Sequence, residues 1–143
     1  MSKVNKIFQW HNLTAGGLVP PVFLNGIKKT INNFEKIVKV KLQDLSLVFV
    51  TPAVMRQLNR RYRRHDKVTD VLSFTYQPEP IIGELIICLD QAIKQAVRQK
   101  HNLDKELNLL LVHGLLHLAG YDHMKFKDRQ VMRSLEKKIL SRL

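Results

Sequence analysis

Three histidines in the stretch HGLLHLAGYDH, His113, His117 and His123, have the residue types and spacing for metal chemistry. Residues four apart on an α-helix are offset by about 40° and one turn, so the imidazoles of His113 and His117 can converge on one ion. Gly120 is the expected helix stop, because glycine takes the left-handed conformation at little steric cost, and the turn it permits brings His123 back toward the same point. Three neutral imidazoles with an open fourth position describe a catalytic rather than a structural zinc site.

The spacing H-x3-H-x2-G-x2-H is also that of metzincin proteases, which need a glutamate directly after the first histidine to activate the metal-held water. Gly114 stands at that position. A metalloprotease would have to find its base elsewhere, which makes it the weakest of the functional readings.

A metal clip needs a rigid support. Asn102 can cap a helix running into His113, and Leu103, Leu107, Leu110, Leu111 and Leu118 supply the apolar surface that anchors it. Upstream, residues 3 to 9 predict a short strand, and VFLNGIKKTINNF, after Pro20-Pro21, spaces Phe23, Ile27 and Ile31 as a helix does. LSLVFV (45 to 50) reads as a strand that stops at Thr51-Pro52, where the helix AVMRQLNRRYRR opens. Two further strands, 71 to 76 and 82 to 88, flank a QPEP loop whose prolines cannot donate ladder hydrogen bonds. Helices follow from Leu89, before the histidines, and from about Lys127 to Leu140. The expected fold class is α/β, a single domain over 1–143: a small mixed sheet of about four strands with helices packed on it and a metal site at the end of a core helix carrying HxxxH.

Charge narrows the partners. With 24 Lys+Arg against 12 Asp+Glu the net charge is +12, a field that draws polyanions and makes nucleic acid the first partner to consider. Cys88 is the only cysteine, so no internal disulfide forms, and the chain fits a reducing cytosol as a cytoplasmic protein. The start MSKVNKIFQW has no secretion-signal run, and no segment has the roughly 18 uncharged apolar residues of a membrane span, so no membrane partner is expected.

At HGLLHLAGYDH the chain resembles the YbeY family of bacterial metal-dependent endoribonucleases, whose signature is HGxLHLxGYDH. A second family element, LNxxYRxxDxPTDVLSFP, is met by LNRRYRRHDKVTDVLSFT at residues 58 to 75, with Val68 and Thr75 where prolines are usual. A third, GD-[IL]-x-I, appears as GELII with Glu84 for the usual aspartate. The resemblance implies a single-strand-specific endoribonuclease in rRNA processing, notably small-subunit rRNA 3′-end maturation, and in ribosome quality control. It implies one divalent metal ion, usually Zn2+, held by His113, His117 and His123, with Arg63 as the functional arginine. It also implies single-stranded RNA, rRNA and the small ribosomal subunit as partners, with small-subunit ribosomal proteins and an Era-like GTPase as further ones.

The chemistry agrees. Phosphodiester cleavage needs positive charge on the nonbridging oxygens and a nucleophile at neutral pH, and zinc lowers the pKa of its bound water from about 15.7 to roughly 7. That hydroxide can attack directly or deprotonate an RNA 2′-hydroxyl, so Gly114 in place of a glutamate is no obstacle. The planar guanidinium of Arg63 can grip phosphate oxygens at two places. Arg56, Arg60, Arg61, Arg64 and Lys67 are candidates for RNA docking, although the arginines cannot all face one way on a helix. Asp70, as acceptor of an imidazole N–H or holder of Arg63, Ser73, lining the groove, and Asp122, orienting a histidine or water, are candidate supports around the metal. Tyr121 is expected to pack the turn, and His65 and His101 to lie on the surface away from the site. The alternative function is a ribosome-assembly RNA-binding factor with weak or no nuclease activity, in which the basic surface does the essential work.

Overall fold

The computed structural model describes residues 7–122 and 126–143. Its elements are β1 (Ile7–Asn12), α1 (Pro21–Val38), β2 (Leu42–Val50), α2 (Pro52–Arg63), β3 (Val71–Pro78), β4 (Ile81–Cys88), α3 (Leu89–Gln99), α4 (Leu103–Leu118) and α5 (Phe126–Leu140). One mixed sheet has the order β1-β2-β4-β3, in which β1, β2 and β4 run parallel and β3 returns antiparallel to β4 at the end.

Alternation along the strands decides which helix lies on which face. Leu45, Leu47 and Phe49 of β2 and Leu85 and Ile87 of β4 join the main core with Phe23, Ile27 and Phe34 of α1 and Leu107, Leu111 and Leu115 of α4. The residues between them, Ile86 and Cys88, with Val50 and Leu72, point the other way and meet Met55 of α2 in a smaller cluster. Four helices therefore cover one face, α2 covers part of the other, and the end strand β3 lies between the two layers.

Two glycines let α4 approach the sheet closely. A Cβ on Gly114 would lie 2.7 Å from Leu85 Cδ2, and one on Gly83 of β4 would lie 2.8 Å from the methyls of Leu118. Each element thus seats a leucine against the other's glycine, at separations no side chain fits.

Local signals set the ends of the two site-bearing helices. Thr51 caps α2, its hydroxyl accepting from Val54 N at 3.4 Å with Pro52 in the first turn, and Arg64 ends it in the left-handed region. The Asn102 side chain caps α4 by accepting from Lys105 N at 3.2 Å. At the far end Gly120 has φ +94°, with Gly120 N donating to His117 O and Tyr121 N to Leu116 O, the double closure of a Schellman turn.

The elements correspond to the sequence expectations, with longer strands. Residues 77 to 80 were expected as a loop, yet β3 runs to Pro78 and β4 starts at Ile81. Proline is tolerated there because β3 is the end strand, where one side of the backbone needs no ladder donor. Of the first strand expected at 3 to 9, residues 3–6 lie outside the described residues, and the described strand continues to Asn12.

Candidate active site

A cleft of about 740 Å³ opens where β3 meets the two helix layers. Asn59 and Arg63 of α2 line it, with His65, Lys67, Thr69 and Asp70 of the following loop, Ser73 and Thr75 of β3, His113 and His117 of α4, and Asp122.

His113 and His117 sit on the last turns of α4, both half-buried, with ring centroids 4.6 Å apart and Nε2 atoms facing each other at 3.1 Å. Two zinc–nitrogen bonds of roughly 2.0–2.1 Å at a tetrahedral angle separate their nitrogens by about 3.3 Å, so the pair already has nearly the spacing of two ligands on one ion. The other ring nitrogen of His113, Nδ1, lies 2.9 Å from Glu136 Oε1 of α5. A carboxylate there favours the tautomer with hydrogen on Nδ1, which leaves the Nε2 lone pair aimed at His117 and the cleft. Nitrogen donors backed by a carboxylate suit a zinc-type ion. Among the described residues no set of three His, Cys, Asp or Glu side chains is gathered for a metal, and His123 lies outside the described residues.

Arg63 is held on the opposite wall. Its NH2 donates to Ser73 O at 2.6 Å, its NH1 to Tyr62 O at 3.4 Å, and its guanidinium carbon lies 4.8 Å from the Phe74 ring centroid. Backbone acceptors and an aromatic face fix the group without neutralising it, so its positive charge stays available to an anion in the cleft. Lys67 adds a second cation, on a loop tied down by Asn59, which is buried and donates from Nδ2 to Lys67 O at 2.9 Å.

The family model described as Endoribonuclease YbeY matches residues 20–143. The chain belongs to the YbeY family. Similar curated YbeY proteins include that of Desulforamulus reducens, 41% identical over 127 residues that cover 76% of this chain and 83% of the relative. That of Pelotomaculum thermopropionicum is 44% identical over 109 residues, covering 70% and 72%. That of Ureaplasma parvum is 39% identical over 99 residues, covering 66% of this chain and 64% of the relative. The solution structure of TM1509 from Thermotoga maritima shares the fold with a TM-score of 0.61 at 23% identity, over 94% of this chain and 90% of that one.

The cleft collects most of the site residues expected from the sequence: Arg63, Lys67, Asp70, Ser73, His113, His117 and Asp122 all line it. Several expectations change. Asp70 is bonded neither to a histidine nor to Arg63. Its Oδ1 accepts from Val71 N at 2.8 Å and its Oδ2 from Gln95 Nε2 at 3.2 Å, so it ties the start of β3 to α3. Arg56 lies away from the cleft, its Nε 2.9 Å and NH2 3.2 Å from the two oxygens of Asp66. This exposed pair holds the Asp66 carboxyl below its usual range through the hydrogen bond from Arg56. His101 is half-buried, with Nε2 2.6 Å from Glu106 Oε2. Arg60, Arg61 and Arg64 are exposed and do not line the cleft, whereas His65 is exposed and does. Tyr121 packs against the core as expected.

Sequence reasoning missed Glu136, Asn59 and Thr75. Glu136 did leave a trace, as one of only two acidic side chains in the basic helix FKDRQVMRSLEKKIL. Nothing local links it to a histidine 23 positions earlier.

Proposed function

We propose that the protein is a single-strand-specific, metal-dependent endoribonuclease of the cytoplasm that processes rRNA, including the 3′ end of small-subunit rRNA, and acts in ribosome quality control. The observation that carries this reading is the facing pair His113 and His117, Nε2 to Nε2 at 3.1 Å, in a cleft whose opposite wall carries Arg63. Family membership supports the nuclease class, and the net charge of +12 supports a polyanionic substrate.

His113 and His117 would hold the ion through Nε2, with His123 as third ligand, and Glu136 would fix the His113 ring. When bound, zinc supplies Lewis acidity toward phosphate oxygens and toward water. Arg63 takes charge on the nonbridging oxygens, held in place by Ser73 O and Phe74. Lys67 draws the backbone of the strand into the groove, and the side chains of Ser73 and Thr75 meet it from β3. Room for a metalloprotease-type glutamate is lacking at position 114, because a side chain there runs into Leu85 rather than into open space.

The test is cleavage of a labelled single-stranded rRNA 3′ segment by zinc-loaded protein beside His117→Ala prepared identically. Activity lost only in the variant, with RNA affinity retained, supports the proposal. Equal activity in both assigns cleavage to a contaminant, and binding without cleavage in either favours the assembly-factor function.

A further inference from the structure

Beyond the cleft, the other face of β3 carries aromatic side chains that the core leaves partly or largely exposed. Leu72, Phe74 and Tyr76 share that face: Leu72 is buried toward α2, Phe74 is half-buried, and Tyr76 is 68% exposed. The ladder skips a residue between Thr75 and Gln77, a bulge that takes Tyr76 out of register with β4. Bulges of this kind re-aim a side chain, commonly beside functional sites. From the last turn of α2, Tyr62, 51% exposed, meets the Phe74 ring at 5.4 Å and 76°. Desolvation, then the Glu84 carboxylate and finally the Tyr62 phenol push the Tyr76 hydroxyl above its usual range.

Cations border these rings. Arg61 lies 5.4 Å from the centroid of Tyr62, and Arg63 lies 4.8 Å from that of Phe74 while also lining the cleft. The acidic neighbour, Glu84, is engaged on both oxygens, by Tyr76 Oη at 3.1 Å and Ser46 Oγ at 3.3 Å. Arg63 thus joins the phosphate-facing cleft to an aromatic patch around the edge of β3. Exposed rings beside guanidinium groups are what non-specific single-strand binding uses, because every base has a π-face and every linkage a charge.

We propose that Tyr62, Phe74 and Tyr76, with Arg61, form a stacking platform for unpaired bases of single-stranded RNA next to the scissile linkage. The proposal rests on the RNA-cleaving function above and adds the feature that makes the cleft prefer single strands: bases in a duplex are not free to stack on protein rings.

The experiment measures binding of a fluorescent single-stranded 2′-O-methyl oligoribonucleotide, and of its duplex, across a salt series. The proteins are wild type, Tyr62→Ala/Tyr76→Ala and Tyr62→Phe/Tyr76→Phe. The alanine pair should lose about 10- to 100-fold in single-strand affinity with an unchanged salt slope, since no charge is removed. The phenylalanine pair should bind like wild type, because the rings remain, and duplex affinity should be the same in all three. Equal single-strand affinity in the alanine pair and wild type overturns the platform alone. Equal losses for single strand and duplex also overturn it, by marking damage to the fold. Wild type that binds no RNA overturns the RNA-cleaving function and the platform with it.

Discussion

Glu136 of α5 sets the orientation of the His113 ring: its Oε1 lies 2.9 Å from Nδ1, on the far side of the imidazole from the Nε2 that faces His117. A carboxylate behind a metal-binding histidine fixes both ring rotation and tautomer before any ion arrives, and its loss typically lowers metal affinity about 10- to 100-fold. Glu136→Gln should weaken zinc binding by about 10-fold and Glu136→Ala by more, with circular dichroism unchanged. Competition with a chromophoric chelator reads this without reference to cleavage. Wild-type affinity in both variants would sink the assignment.

Gly114 has a packing role that a single methyl group tests. Its Cβ would meet Leu85 at 2.7 Å within the main core, and such overpacking typically costs about 1–3 kcal/mol. Gly114→Ala should lower the urea midpoint accordingly. Gly114→Glu, which recreates the metalloprotease pattern, should fold poorly and cleave no casein. Casein hydrolysis by a folded Gly114→Glu protein would show the position to be open to the cleft after all.

Two arginines of α2 should behave oppositely. Arg63 lines the cleft, whereas Arg56 is spent on Asp66 at the surface. Arg63→Ala should lower kcat/KM for RNA cleavage by about 100-fold or more, the scale of a lost transition-state donor. Arg63→Lys should recover little, because a point charge cannot reproduce the planar fork. Arg56→Ala should stay within about 3-fold of wild type, since exposed ion pairs carry little energy. Comparable losses in the two alanine variants would mean that bulk charge, not placement, drives the reaction.

Cys88 gives the fold a pH signature. The side chain is fully buried under α2, and burial pushes its thiol above the usual range. The folded state therefore favours the neutral thiol. The associated stability is fully present below the unfolded thiol pKa, about 8.5, and is lost as pH rises through the higher folded value. Between about pH 8 and pH 10 the urea midpoint should fall more in wild type than in Cys88→Ala. At about pH 8 iodoacetamide should label Cys88 only after unfolding. Rapid labelling of the native protein would contradict both expectations.

The histidine pair was legible in the sequence because helix geometry alone links positions four apart, and Gly120 announced the turn that ends the helix. Arg63 and Ser73 were legible through the order of motifs, which α2 and β3 preserve in space. Glu136 was not, because only the packing of α5 against α4 brings it to His113. Asp70 does line the cleft, but its hydrogen-bond partners, Val71 N and a glutamine on α3, were hidden for a related reason. The buried role of Asn59 depends on how the loop after α2 folds back, and no periodicity encodes that. Strand lengths were underestimated where proline falls at the end of an outer strand, a position at which its missing donor costs nothing.

The bond from Arg63 to Ser73 O also bears on how copies of the protein meet one another. β3 closes the sheet at one end, and strands in that position invite pairing with a neighbouring molecule. A guanidinium docked 2.6 Å from the main-chain carbonyl obstructs such a meeting sterically and by charge repulsion between identical molecules. The side chain proposed above to meet phosphate thus also covers an open strand edge, and a concentrated stock of Arg63→Ala should be less soluble than wild type.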